Sequence, residues 1–72
     1  MKVEVVTLHY KPGMTTLAGT SFMCFSEGDS YPDLHYIVRE GQHVVNYTNP
    51  ETGARHGVSV PVSDIRQVNT VL

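Results

Sequence analysis

Apolar and polar positions alternate through much of Leu34 to Val62, and two turn signals divide that stretch into three strands. Glu40-Gly41 is a two-residue hairpin connection. Asn49-Pro50-Glu51-Thr52-Gly53 opens on Asn, puts Pro where φ near −65° is needed, and closes on Gly where φ must turn positive. The first turn sets Val38 opposite His43, Tyr36 opposite Val45 and Leu34 opposite Tyr47. The second sets Tyr47 opposite His56, Val45 opposite Val58 and His43 opposite Val60. Both registers place Leu34, Tyr36, Val38, Val45, Tyr47, Val58, Val60 and Val62 on one face, which predicts a three-stranded meander with that face buried. The other face carries His35, Ile37, Arg39, Val44, Asn46, Thr48, Arg55, Gly57 and Ser59, with Ile37 and Val44 as a cross-strand pair. A merely solvated surface does not require that pair. Cover by another part of the chain is the expectation, and a contact site is the alternative.

Lys2 to Tyr10 reads as the first strand, with Val3 and Val5 on one face and Val6 and Leu8 on the other. Apolar on both sides, it suits a strand that covers the Ile37 and Val44 side of the meander and offers its other face, or a sheet edge, to a partner; the alternative is that Val3, Val5, Val6 and Leu8 form the centre of a barrel wall. Lys11-Pro12-Gly13 ends it. Met14 to Phe25 has two readings. Met14, Leu17, Ala18, Phe22 and Phe25 fall at helical spacing, but Thr15, Thr16, Gly19, Thr20 and Ser21 are poor helix formers. A strand over Phe22 to Phe25, with Gly19 as a bend, is favoured, and Cys24 is then a small buried filler. A helix over 14–25 would instead make the fold α+β. Ser26 to Pro32 is a polar loop whose acidic residues lack calcium-ligand spacing. Val62 to Val68 is a tight turn capped by Ser63, leading to a last strand that ends at Leu72.

Composition supports one domain, mainly β, as a small antiparallel sheet or barrel built on the meander. Charged residues are 17% of the chain, five basic against seven acidic, for a net charge of −2. That leaves no basic stripe for phosphates, so nucleic acid is not expected as the primary partner. Apolar residues reach 40%, enough for a small core and too many for a disordered chain. Cys24 is the only cysteine, so no disulfide forms within the chain, and a reducing cytoplasm is the expected compartment. The start lacks the apolar run of a signal peptide, and no apolar stretch has the length to span a bilayer.

Chemistry has little to work with. Four histidines are present, but His43 and His56 share the core-side face without pairing, His35 lies on the other face and His9 in the first strand. Three convergent metal ligands do not follow from that placement. No glycine-rich phosphate loop, Gly-x-Ser-x-Gly elbow or His-Glu-x-x-His occurs, so neither an enzyme nor a cofactor is expected. Asn46-Tyr47-Thr48 matches the glycosylation pattern by accident. A binding module remains. Its expected contact residues are Val3, Val5 and Thr7 on the first strand with His35, Ile37, Arg39, Val44 and Arg55 on the meander, because Arg beside branched apolar residues is what protein interfaces concentrate.

The order of strand, long excursion, meander, helical turn and last strand resembles a Src-homology-3-like small barrel. The resemblance is carried by Gly57-Val58-Ser59-Val60-Pro61-Val62-Ser63-Asp64-Ile65 standing where such barrels make their last turn. Trp is absent, so the paired tryptophans of the peptide-binding members have no counterpart. In size, mild acidity and sequence character the whole chain also resembles small phage-encoded proteins that bind bacterial RNA polymerase. That resemblance implies a transcription regulator in the host cytoplasm that binds polymerase subunits and inhibits or redirects initiation; the sequence leaves the oligomeric state open, with a monomer favoured. Two rivals stand beside it. One is a small-barrel binder of single-stranded nucleic acid, stacking bases on Tyr31 and Tyr36 beside Arg39. The other is a structural subunit of a phage particle or other assembly.

Overall fold

The structure, a computed structural model, describes all 72 residues. Six strands form: β1 (Val5–Tyr10), β2 (Phe22–Ser26), β3 (His35–Arg39), β4 (Gln42–Thr48), β5 (Arg55–Pro61) and β6 (Ile65–Val71). One 3-10 turn, Val62–Asp64, joins β5 to β6. The strands make two antiparallel three-stranded sheets, ordered β2-β1-β6 and β3-β4-β5, so the class is mainly β. The sheets are not closed into a barrel, because no ladder joins β2 to β5.

The meander takes the register its turns dictate. Tyr36 lies opposite Val45, Val38 opposite His43, and Ile37 opposite Val44. Val45 lies opposite Val58 and Tyr47 opposite His56. Glu40 and Gly41 both take positive φ, 52° and 76°, the type I′ geometry that matches strand twist. In the second turn Asn49 Oδ1 accepts from the Glu51 and Thr52 amides at 2.8 and 3.3 Å, and Gly53 takes φ 75°. Depth along the inward face is uneven. Leu34, Tyr36, Val45 and Val60 are buried, Tyr47 and Val58 pack around them, and Val38 and Val62 are 54% and 39% exposed. A period of two decides the side a residue faces, and Val38, beside the hairpin turn, lies beyond the packed centre.

The first strand departs from simple alternation at Glu4. Before it, the chain runs antiparallel to β3: the Tyr36 amide donates to Met1 O at 2.8 Å and the Val3 amide to Leu34 O at 3.2 Å. At Glu4 the partners change, its amide donating to Val71 O and its carbonyl accepting from the Glu27 amide, both at 2.7 Å. The bend resets the alternation, so Val3, Val6 and Leu8 all enter the core while Val5 stays half-buried on the outside. β1 is also the centre of its sheet, paired to β2 and β6, which removes the sheet-edge role open to it in the sequence.

Met14 to Phe25 contains no helix. Thr16 and Thr20 close a turn, with the Gly19 amide donating to Thr16 O at 2.9 Å and Gly19 at φ 84°, and β2 follows. In β2, Met23 and Phe25 pair with the inward Leu8 and Val6, which turns Cys24 outward beside Thr7. Cys24 is therefore exposed, not a buried filler. Nor does Ser63 cap the last turn; it lies inside it, Pro61 holds the leading position, and no side-chain cap forms. The nine-residue core draws on both sheets, so the sheets pack through their inward faces. No helix is long and apolar enough to cross a membrane.

Candidate functional site

The residues expected to make contacts do not form one patch. Val3 is 1% exposed and belongs to the core, so it is unavailable to a partner. Val5 and Thr7 lie half-buried on the outer face of β2-β1-β6, where Thr7 Oγ1 donates to Cys24 Sγ at 3.4 Å. His35, Ile37, Arg39, Val44 and Arg55 belong to the outer face of β3-β4-β5, on the far side of the shared core. Ile37 and Val44 are the cross-strand pair foreseen from the turns. The cover expected from the first strand is absent, because the apolar face of β1 packs between the sheets, and Ile37 remains 45% exposed.

Arg55 is held within the molecule. Its Nη1 donates to the Asp33 carboxylate, the Asp33 carbonyl and Thr48 Oγ1, each at 3.0 Å, and its Nη2 donates to Asn46 Oδ1. The Asp33 carboxylate also lies 3.7 Å from Lys2 Nζ and 3.8 Å from His35 Nδ1. These groups lace the start of β5 and the amino-terminal segment to the β2–β3 loop. Exposed pairs of this kind contribute about 0–1 kcal/mol each. The loop's other end is held by Glu27, whose carboxylate accepts from the Asp33 and Leu34 amides at 3.2 and 3.0 Å. From sequence, Ser26 to Pro32 reads only as a polar loop. Arg39 is exposed at the end of β3.

The aromatic residues proposed for base stacking are committed elsewhere. Tyr36 is 8% exposed, its hydroxyl 2.8 Å from His43 Nδ1, and burial raises its phenol above the ordinary pKa of 10.0. Tyr31 is wedged edge-on between Phe25 and Tyr47, with ring centres at 5.1 and 4.8 Å. Among the histidines, His43 meets Tyr36 and His56 meets Asn49 Nδ2 at 3.2 Å. No three His, Cys, Asp or Glu side chains converge as a metal site would need.

What the structure brings together is a cleft of about 550 Å³ between β5 and β2 with its preceding turn. Its walls include Leu17, Phe22, Met23 and Phe25 on one side and Val58 and Val60 on the other. Ten of the thirteen lining residues are hydrophobic, and none is Asp, Glu, Lys, Arg or His. Leu17 stands fully exposed at the turn and Phe22 is 45% exposed at the rim. Of the residues at helical spacing, Met14, Leu17, Ala18, Phe22 and Phe25, all but Met14 line this wall, and that spacing is the one sequence signal for it. It registered apolar residues that needed a surface, but not that a second sheet would leave them open. A second hollow of about 480 Å³, lined by Lys2, Glu4, Glu27 and Asp33 among others, is the polar lacing already described.

Comparisons with protein-family models, with curated proteins and with solved structures find no match to this chain.

Proposed function

We propose that this chain is a small protein-binding module that docks an apolar segment of a larger protein in the cleft between β2 and β5. The observation that carries this reading is the uncharged lining, together with the exposure of Leu17 and Phe22 at its rim. A nucleic acid would call for cations along the groove. A small-molecule site would call for convergent polar groups that fix orientation. An apolar segment of a protein needs neither, and covering the 45% of Phe22 that is exposed would stabilise the complex by roughly 1 kcal/mol, about half the value for a whole side chain.

The partner to test first is bacterial RNA polymerase, in line with the sequence resemblance to small phage regulators, with the cytoplasm as the compartment and altered initiation as the consequence. The experiment is capture of purified polymerase on the tagged chain, after nuclease treatment and at high salt, with the Phe22→Glu variant in parallel. Retention of polymerase by the native chain and its loss with Phe22→Glu, at unchanged thermal stability of the variant, is the expected result. Equal retention by both would overturn the cleft as the docking site. Failure of the native chain to retain polymerase would remove that partner.

A further inference from the structure

Resting on the cleft as a protein-docking site, we propose that its occupant is an extended segment of another protein, added to the free edge of β5 as a further strand. Hydrogen-bond parity identifies that edge. On its β4 side β5 is bracketed by the Asn49 amide donating to Ala54 O at 2.7 Å and the Val62 amide donating to Gly41 O at 2.9 Å. Counting in twos from either end makes His56, Val58 and Val60 the residues bonded to β4. Gly57 and Ser59 therefore turn their N–H and C=O groups away from the sheet, and no backbone partner in the chain meets them.

The other edges differ. That of β3 is occupied by Met1 to Val3. That of β2 has one of its outward carbonyls, Phe22 O, taken by Thr20 Oγ1 at 2.8 Å. β6 borders no apolar cleft. Exposed edges are ordinarily blunted by charge, proline or a covering segment. Between Arg55 and Pro61, β5 carries no Asp, Glu, Lys or Arg. Pro61, lacking an N–H on the outward side, marks where the edge stops.

The geometry also specifies the chemistry of the segment. A strand's period of two would turn alternate side chains of the added segment toward the cleft, facing Phe22, Met23 and Val58. With no charge in the lining to meet them, those side chains must be uncharged and apolar. The remaining ones would extend the outer face beside Gly57 and Ser59. A second copy fits less well than a single strand, since each β5 edge opens into a cleft walled by its own β2, and two such edges meeting would bring both walls into the same space.

The test uses the native chain and a peptide chosen by selection from a displayed library of random dodecamers on the immobilised protein. The expected winner is apolar at every second residue, slows exchange of the Gly57 and Ser59 amides at least about tenfold, and loses at least about tenfold in affinity when the peptide nitrogens facing β5 are methylated, because each lost bond leaves a buried carbonyl unpaired. Ser59→Pro should abolish binding while leaving the fold intact, its N–H being unused within the chain. The exchange measurement on the native chain decides the matter if that variant unfolds. A peptide that binds and is lost with Phe22→Glu, yet leaves both amides unprotected and tolerates methylation, would overturn strand addition and spare the docking cleft. No enrichment over a Phe22→Glu surface would overturn both. Protection of the same amides by self-association, seen in sedimentation, would replace the foreign segment with a second copy.

Discussion

Glu40 holds a backbone conformation that side chains rarely take, at φ 52° in the first position of a type I′ turn. The position favours Asn, whose short polar side chain tolerates that region. Glu40→Asn should therefore raise stability by about 0.5–1 kcal/mol, which for a domain of this size is roughly a 2–8 °C rise in melting temperature. No rise in a thermal unfolding scan would mean that the strain is relieved elsewhere. Val3 shows the reverse of its sequence role, and Ile37 lacks the cover expected over it. Val3→Ala should cost roughly 1.5–3 kcal/mol because Val3 is in the core, while Ile37→Ala should change stability by less than about 0.5 kcal/mol. Denaturant titration separates the two. Tyr36 adds a pH dependence. Burial raises its pKa, so the protonated phenol is favoured in the folded state and the unfolded chain ionises first, from its ordinary 10.0. The contribution is fully present below that pH and is lost as pH rises through the folded value. Stability measured on the alkaline side should fall in the native chain, and that part of the fall should vanish in Tyr36→Phe.

At the scale of elements, the meander was legible because both of its turns are written in residue types with a mechanism: Gly41, Asn49, Pro50 and Gly53 each answer a backbone requirement, and two turns agreeing on one inward face leave no freedom of register. The first strand departs from straight alternation, which would put Val3 and Val5 on one face, because the chain bends at Glu4; no residue there announces the bend, and its cause is tertiary, the change of partner from β3 to β6 and β2. Met1 to Val3 thereby becomes the cover of the β3 edge. Val3→Glu should detach it, because a carboxylate cannot stay at a site 1% exposed without a partner. The expected outcome is lower stability and concentration-dependent self-association through the uncovered Leu34 and Tyr36 backbone, seen in sedimentation. A destabilised but strictly monomeric variant would show that β3 needs no cover. Of the cleft, only the apolar residues of one wall, Leu17, Ala18, Phe22 and Phe25, were legible. Its walls, β2 and β5, are distant in sequence and share no ladder, so only the packing of one sheet on the other creates it.

At the scale of the molecule, charge and apolar exposure are placed apart. Lys2 and Arg55 are both spent on Asp33, on one outer face, while the cleft between the sheets holds no charge. Binding through that cleft should therefore depend little on ionic strength. A partner that released counterions from even six phosphates would lose about a thousandfold in affinity between 50 and 200 mM salt. An apolar strand seated on β5 has no counterions to release, and excluded salts strengthen apolar burial if they act at all. Affinity for the captured partner, measured across that salt range by calorimetry, should change by less than about threefold, with a negative heat-capacity change from the apolar surface removed from water. A steep fall with salt would instead place the contact on Arg39 and the other exposed cations, outside the cleft. The same experiment on Phe22→Glu sharpens the contrast, since a contact made elsewhere would keep its affinity when the cleft wall is changed.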